Sequence, residues 1–248
     1  MKHLFLMLSI CFFTTLTAVE QITVIYNDYA PYCYVDKNTP EGANGLCVEI
    51  IQAVAETLDI EVKFDGPYQP TTCLDLMKEG RVDALIPLTK TSEREKYMTY
   101  YDNNLIDDTI SFIVRNDSDI SWTGNLHSIE KHTIGVVKVF SYGETFDAAS
   151  FLDLDNSEKN TDVSLLNKLL DGKLDVIIAS SLVLKDIATK AGNIDKIKLL
   201  SPNVSTDPLY MAFSKAKNND KIAWDFSNAL KSFRNTSEYK KILKKYGQ

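Results

Sequence analysis

The chain has 248 residues and a formal net charge of −7. That length suits one large domain or two lobes of about a hundred residues each. An acidic chain without a basic block argues against nucleic acid as a partner, although a few residues alone set the local field around a small ligand.

Lys2 and His3 precede an apolar run, Leu4 to Phe13, and then Thr14-Thr15-Leu16-Thr17-Ala18. A short positive segment, an apolar segment and a small residue predict a signal peptide over residues 1–18, cleaved after Ala18. The apolar run is too short to span a bilayer as a helix. Cys11 follows Leu8-Ser9-Ile10, and the bulk of Ile10 makes this a poor context for a lipid anchor. Removing residues 1–18 from 248 leaves 230 and, with Lys2 gone, takes the charge from −7 to −8. Export places Cys33, Cys47 and Cys73 in an oxidising compartment. There is no CxxC, and His127 and His132 are isolated, so neither a redox motif nor a metal or other cofactor is expected.

Ile22 to Tyr26 alternates β-branched and aromatic residues and predicts a first strand. The following loop is dense in aromatics, with Tyr29, Tyr32 and Tyr34 around Pro31. Ile50, Ile51, Val54, Ala55 and Leu58 share one helical face. Ile60 to Phe64 predicts a second strand, and Thr72 is placed to cap a helix carrying Leu74, Leu76 and Met77 that Gly80 ends. Alternating strands and helices predict an α/β sheet covered on both faces.

The stretch Gly80 to Tyr101 organises the rest. Val82 to Leu88 reads as a buried parallel strand, and Ser92 with Glu95 forms a capping box that predicts a new helix. Arg94 then falls in a first helical turn, where the macrodipole disfavours a cation. An Arg there is better explained by an anion held beside free backbone N–H groups, the alternative being a surface pair with a neighbouring Glu.

Pro87-Leu88-Thr89, then Arg94 and a Tyr-rich tail, resembles the ligand loop of the polar amino-acid class of extracytoplasmic solute-binding proteins. The ligand-binding core of ionotropic glutamate receptors is related. The resemblance implies that Arg94 forks onto a ligand α-carboxylate, that the Thr89 hydroxyl supports it, and that the Pro87 carbonyl accepts from an α-ammonium. It covers nearly all of the mature chain and implies a two-lobed periplasmic-binding-protein fold, each lobe a sheet flanked by helices, with a two-strand hinge.

Further on, Thr109 to Arg115 predicts a strand that leaves the first lobe, and the polar stretch Asn116 to Ser128 reads as a boundary. A second α/β set follows: strand Thr133–Val139, a helix from Ser141 to about Leu152, helix Ser164–Leu170, strand Leu174–Ala179, helix Ser181–Ala191 and strand Ile197–Leu200. Strand Leu209–Ser214 and helices Ile222–Phe233 and Glu238–Tyr246 close the chain. Leu76 to Ile86 matches Leu169 to Ile178: helix end, Gly, cation, Asp, apolar strand. Two lobes of like architecture explain this repeat better than one long sheet. With the connectivity that the resemblance implies, lobe one takes residues 19–112 and 208–248, lobe two takes 113–207, and the ligand cleft lies between them.

From lobe two, Ser141 is predicted at a helix start, an anion site by its hydroxyl and N–H groups. Tyr29, Tyr32, Tyr68 and Phe140 are candidate pocket walls, Tyr29 matching a family position that stacks on the ligand. Amino-acid binders of the family usually place a carboxylate on lobe two against the α-ammonium, and alignment through Gly172-Lys173-Leu174-Asp175 puts Ser180 there. The expected ligand is therefore either not a standard α-amino acid or holds its amino group differently. Cys33 and Cys47 flank one loop and are expected to form a disulfide, leaving Cys73 free.

These readings predict a monomeric periplasmic protein that captures a small carboxylate-bearing, amino-acid-like solute for an ABC permease. A sensor feeding a receptor is one alternative. A cyclohexadienyl dehydratase on the same fold is the other, but it needs an acid in the cleft, and neither motif supplies one. No catalytic residue is assigned.

Overall fold

The structure, a computed structural model, describes residues 20–248. The expected signal peptide, residues 1–18, lies outside the described residues.

The chain opens with β1 (Glu20–Tyr26), the short hairpin β2 (Tyr34–Val35) and β3 (Ala43–Asn44), then α1 (Leu46–Thr57) and β4 (Ile60–Asp65). Next come α2 (Pro70–Lys78), β5 (Ala84–Thr89), a 3-10 turn at Arg94–Lys96, β6 (Met98–Thr99) and the long β7 (Ile106–Arg115). A second series follows: β8 (Ile134–Gly135), α3 (Glu144–Asp147), β9 (Leu154–Asp155), α4 (Asp162–Leu170), β10 (Val176–Ser180), α5 (Ser181–Lys190) and β11 (Ile197–Leu199). The chain returns through β12 (Ser205–Ser214) to α6 (Asp220–Phe233) and α7 (Ser237–Lys245).

The main sheet runs β4-β1-β5-β12-β7-β10-β8-β9. Pairing is parallel among β4, β1 and β5 and again among β10, β8 and β9. The two long strands β12 and β7 join these parallel halves, antiparallel to each other from Ser205↔Ile110 to Leu209↔Ile106.

Period-2 alternation sends neighbouring residues of each strand into different cores. In the first half Val24 and Tyr26 pack under α1, α6 and α7, while Ile25 faces Met77 of α2. In the second half Phe112, Val114, Val176 and Ile178 pack on Trp122 and Phe146, while Ile113 and Ile177 meet Leu165, Leu169 and Leu184. Each half is thus a sheet with apolar cover on both faces.

The internal repeat has the same structure in both halves. Gly80 and Gly172 take φ of 65° and 73°, the left-handed conformation a helix C-terminus favours. Arg81 N–H closes back onto Leu76 O at 3.1 Å, and Lys173 N–H onto Lys168 O at 2.9 Å. The Asp that follows then accepts a backbone N–H in each half, from Thr23 in β1 to Asp83 Oδ2 at 2.8 Å and from Thr133, just before β8, to Asp175 Oδ2 at 3.2 Å.

Three local expectations are corrected. No α-helix follows Ser92, and the capping box does not form. The chain makes one 3-10 turn and must reach β6 four residues beyond Arg94 to pair with β12, which leaves no length for a helix. The Arg94 N–H goes to the Thr91 hydroxyl instead, at 3.3 Å. The helix expected from Ser141 shrinks to α3, four residues long, because Gly143 turns the chain at φ 99° just before it. The Asp147 carboxylate accepts from the Ser141 hydroxyl and the Tyr142 N–H, so Ser141 is not at a helix start. Finally, α2 begins at Pro70 with Gln69 as its N-cap, not at Thr72.

Candidate functional site

Pairing of β1 with β5 stops at Tyr26↔Ile86, so Pro87, Leu88 and Thr89 run on past the C-terminal ends of the parallel strands. An irregularity in β12 between Tyr210 and Ala212 lies opposite, a setting that tolerates a strand proline. Crevices at such strand ends are where open α/β sheets bind ligands. Thr89 presents both oxygens inward to Arg94. Nη1 of Arg94 donates to Thr89 O at 2.8 Å and to Oγ1 at 2.5 Å. Its Nη2 donates to Val139 O at 2.9 Å, reaching from the first half of the molecule to the second. Arg94 is only 7% exposed, yet its three acceptors are neutral oxygens. Burial without a carboxylate pulls its pKa down. A buried charge held only by neutral groups is costly, and an anion from outside the chain relieves that cost.

The aromatic loop is fixed from below by α1. Leu46 and Cys47 N–H, in its open first turn, donate to Pro31 O at 3.0 Å and Tyr32 O at 2.9 Å. Gly45 is required at this joint: an added Cβ would sit 2.5 Å from Tyr32 O, with φ at 128°. So held, Tyr29 stacks on Tyr32 and meets Phe140 of the second half edge-on, with ring centroids 5.6 Å apart in both pairs.

Tyr32 leads to a residue that sequence reasoning missed. Its hydroxyl donates to Asp108 Oδ1 at 2.7 Å, and the Ser180 hydroxyl donates to the same oxygen at 2.7 Å. Asp108 is 1% exposed and lines the cavity that Arg94 also lines. Burial pushes its carboxyl up to about 6; the two hydroxyls pull against that shift, and Asp207, its partner across β7 and β12, adds to it. Ser180 itself lines neither cavity and reaches the ligand space only through Asp108. The sole hint in the sequence is the pair Asp107-Asp108 immediately before an apolar strand.

Two connected cavities run along the cleft. A narrow one of about 60 Å³ is lined by Pro87, Thr89, Arg94, Asp108 and Ser141. A larger one of about 700 Å³ is lined by Tyr34, Tyr68, Lys138, Asp162 and Asp186, and Tyr29 and Phe140 border both. The Tyr68 hydroxyl donates to Asp65 at 2.9 Å, which fixes its ring in the wall. The predicted site residues thus share one cleft, Ser180 and Tyr32 standing behind it.

The expected disulfide is absent: Cys33, Cys47 and Cys73 are free, buried thiols. The two segments do lie side by side, but the Cys33 thiol turns to Asn27 O at 3.2 Å, and burial pushes its pKa up. Adjacent backbones do not bring two sulfurs into bonding geometry.

This two-lobed α/β fold, with a buried Arg in its cleft that has no ion-pair partner among the described residues, is that of the periplasmic binding proteins. The chain belongs to the bacterial extracellular solute-binding proteins, family 3, whose pattern matches residues 22–248. It is similar to an arginine-binding periplasmic protein of Mannheimia haemolytica, 26% identical over 251 residues and covering 97% of each chain. Among solved structures it resembles the substrate-binding protein of an amino-acid ABC transporter (TM-score 0.73, 21% identity, 92% of this chain and 99% of that one). It also resembles a histidine kinase sensor domain similar to periplasmic binding proteins (TM-score 0.78, 20% identity, 92% and 96%). No helix among the described residues is long and apolar enough to cross a membrane.

Proposed function

We propose that this protein captures a small amino acid in the periplasm and delivers it to an ABC permease. The ligand carboxylate docks on Arg94 with the Thr89 hydroxyl beside it, and the α-ammonium lies against Asp108. Residues 20–112 with 208–248 form one lobe, residues 113–207 the other, and β7 and β12 hinge them. Val139, Phe140 and Ser141 close over the ligand from the second lobe. Closure is a population shift, driven by contacts made only when both lobes touch the ligand.

One observation carries this reading: Arg94, 7% exposed, has no acidic partner among the described residues. Asp108 adds to it, because it restores at a hinge strand the carboxylate that Ser180 lacks. The amino group is then held differently from the family's usual arrangement. Similarity to the arginine-binding periplasmic protein of Mannheimia haemolytica supports an amino-acid ligand. A thermal-shift screen over the L-amino acids, with Arg94→Ala as control, tests the reading. It predicts at least one amino acid that raises the melting temperature of the wild type and leaves the variant unmoved. Equal shifts in both proteins contradict it.

Asp108 also favours a second reading, an acid positioned for proton transfer to a leaving hydroxyl. Incubation with prephenate or arogenate yields an aromatic product if that reading holds.

A further inference from the structure

Each charge along the cleft has a partner except a few. In the larger cavity Lys138 pairs with Glu158, and Lys190 with Asp186 at 2.6 Å. Those pairs cancel. An amino-acid backbone on Arg94 and Asp108 cancels those two charges in turn. Asp28 and Asp162 are left, both lining the larger cavity and neither in an ion pair among the described residues. Asp28 is exposed and solvated, whereas Asp162 is half-buried. Burial pushes the hydroxyls of Tyr29 and Tyr142 up, and the Asp162 charge adds to both shifts, together with Asp108 at Tyr29.

We propose that Asp162 is the counter-ion for a cationic group at the far end of the ligand side chain, making the ligand an α-amino acid with a basic side chain. The inference rests on the reading of Arg94 and Asp108 given above. Two further features agree with it. The cavity walls carry Tyr29, Tyr34, Tyr68 and Phe140, and aromatic faces attract a cation lying over them. Burial also pushes the Asp162 carboxyl up to about 7, so the protein alone does not compensate its charge. The ordinary role of an Asp at this position is to stabilise the start of α4, where Thr161 and Ser164 form a capping box. That role predicts an effect on stability and none on selectivity.

The test is isothermal titration of the mature chain with L-arginine and L-lysine against their uncharged counterparts L-citrulline and L-norleucine. The wild type is expected to bind a basic ligand at least tenfold more tightly than its counterpart. Asp162→Asn should bring the two within about threefold by weakening only the basic one, and Asp162→Glu should keep the preference. Three results overturn the inference: equal wild-type affinities, an unchanged ratio in Asp162→Asn, or a lower melting temperature in that variant with selectivity intact. Neutral ligands that bind and are lost in Arg94→Ala leave the underlying reading standing while this inference fails. Binding that survives Arg94→Ala overturns both, whereas no binding of any of the four overturns this inference alone.

Discussion

Replacing Asp108 by Asn should stabilise the free protein and weaken its binding. Both hydroxyl donors converge on Oδ1, Tyr32 and Ser180 each at 2.7 Å, and an Asn keeps that acceptor. What it removes is the charge. Burial raises the carboxyl from the ordinary Asp range to about 6. Between about 4 and 6 the folded state therefore binds more protons than the unfolded one, and stability falls as pH rises through that window. At neutral pH the full cost is present, about 3 kcal/mol at most. Asp108→Asn should recover about 1–3 kcal/mol at pH 7, equivalent to about 2–10 °C in melting temperature for a chain of this size. The gain should shrink towards zero at pH 4. Affinity moves the other way, because a charged hydrogen bond to the ammonium is worth about 1.5–3 kcal/mol against about 1 for a neutral one. Scanning calorimetry at both pH values, with titration of the best-binding amino acid and its des-amino counterpart, reads all these effects. A variant no more stable than wild type at pH 7, and still preferring the amino acid to the des-amino acid, refutes the placement of Asp108 against an ammonium.

Other consequences can be checked alongside. Thr89→Val removes the hydroxyl bound to Arg94 at 2.5 Å and should weaken ligand affinity by about 1–3 kcal/mol with little change in fold, measured by titration. Wild-type affinity for an amino acid with an uncharged side chain should fall as pH drops below about 6, where Asp108 takes up a proton, and Asp108→Asn should flatten that dependence. Gly45→Ala forces a Cβ to 2.5 Å from Tyr32 O at a strained φ; a loss of about 2–5 kcal/mol is expected in denaturant unfolding. Peptide mapping under non-reducing conditions should find Cys33, Cys47 and Cys73 as thiols, and a Cys33–Cys47 peptide would contradict the packing described.

The parts legible in the sequence were those set by local pattern. Helix stripes such as Ile50, Ile51 and Val54 and the Gly-Asp joints at Gly80 and Gly172 depend on residues a few positions apart, and they fold as read. Arg94 stands out in the sequence by its position in a motif, but the helix dipole is not what exposes it as a binding residue. The turn there is a single 3-10 turn, and the distinguishing fact is burial without an acid. Asp108 was illegible because its setting is made by two strands about a hundred residues apart. Only the pairing of β7 with β12 and the approach of β10 turn Asp107-Asp108 from a polar strand start into one exposed and one buried carboxylate. The helix at Ser141 failed for a nearer reason, since Gly143 and the competing Asp147 carboxylate outweigh the apolar spacing beyond them. The cysteine expectation had the right neighbouring segments and the wrong sulfur directions.

The account stands most directly on Arg94, and one titration addresses it. The amino acid that most raises the wild-type melting temperature is titrated into wild type, Arg94→Lys and Arg94→Ala. Losing a bidentate charged contact costs about 2–5 kcal/mol, so Arg94→Ala should bind about thirtyfold to several thousandfold more weakly while still unfolding cooperatively. Arg94→Lys keeps a point charge without the fork and should fall between. Wild-type affinity retained in a folded Arg94→Ala would contradict the account.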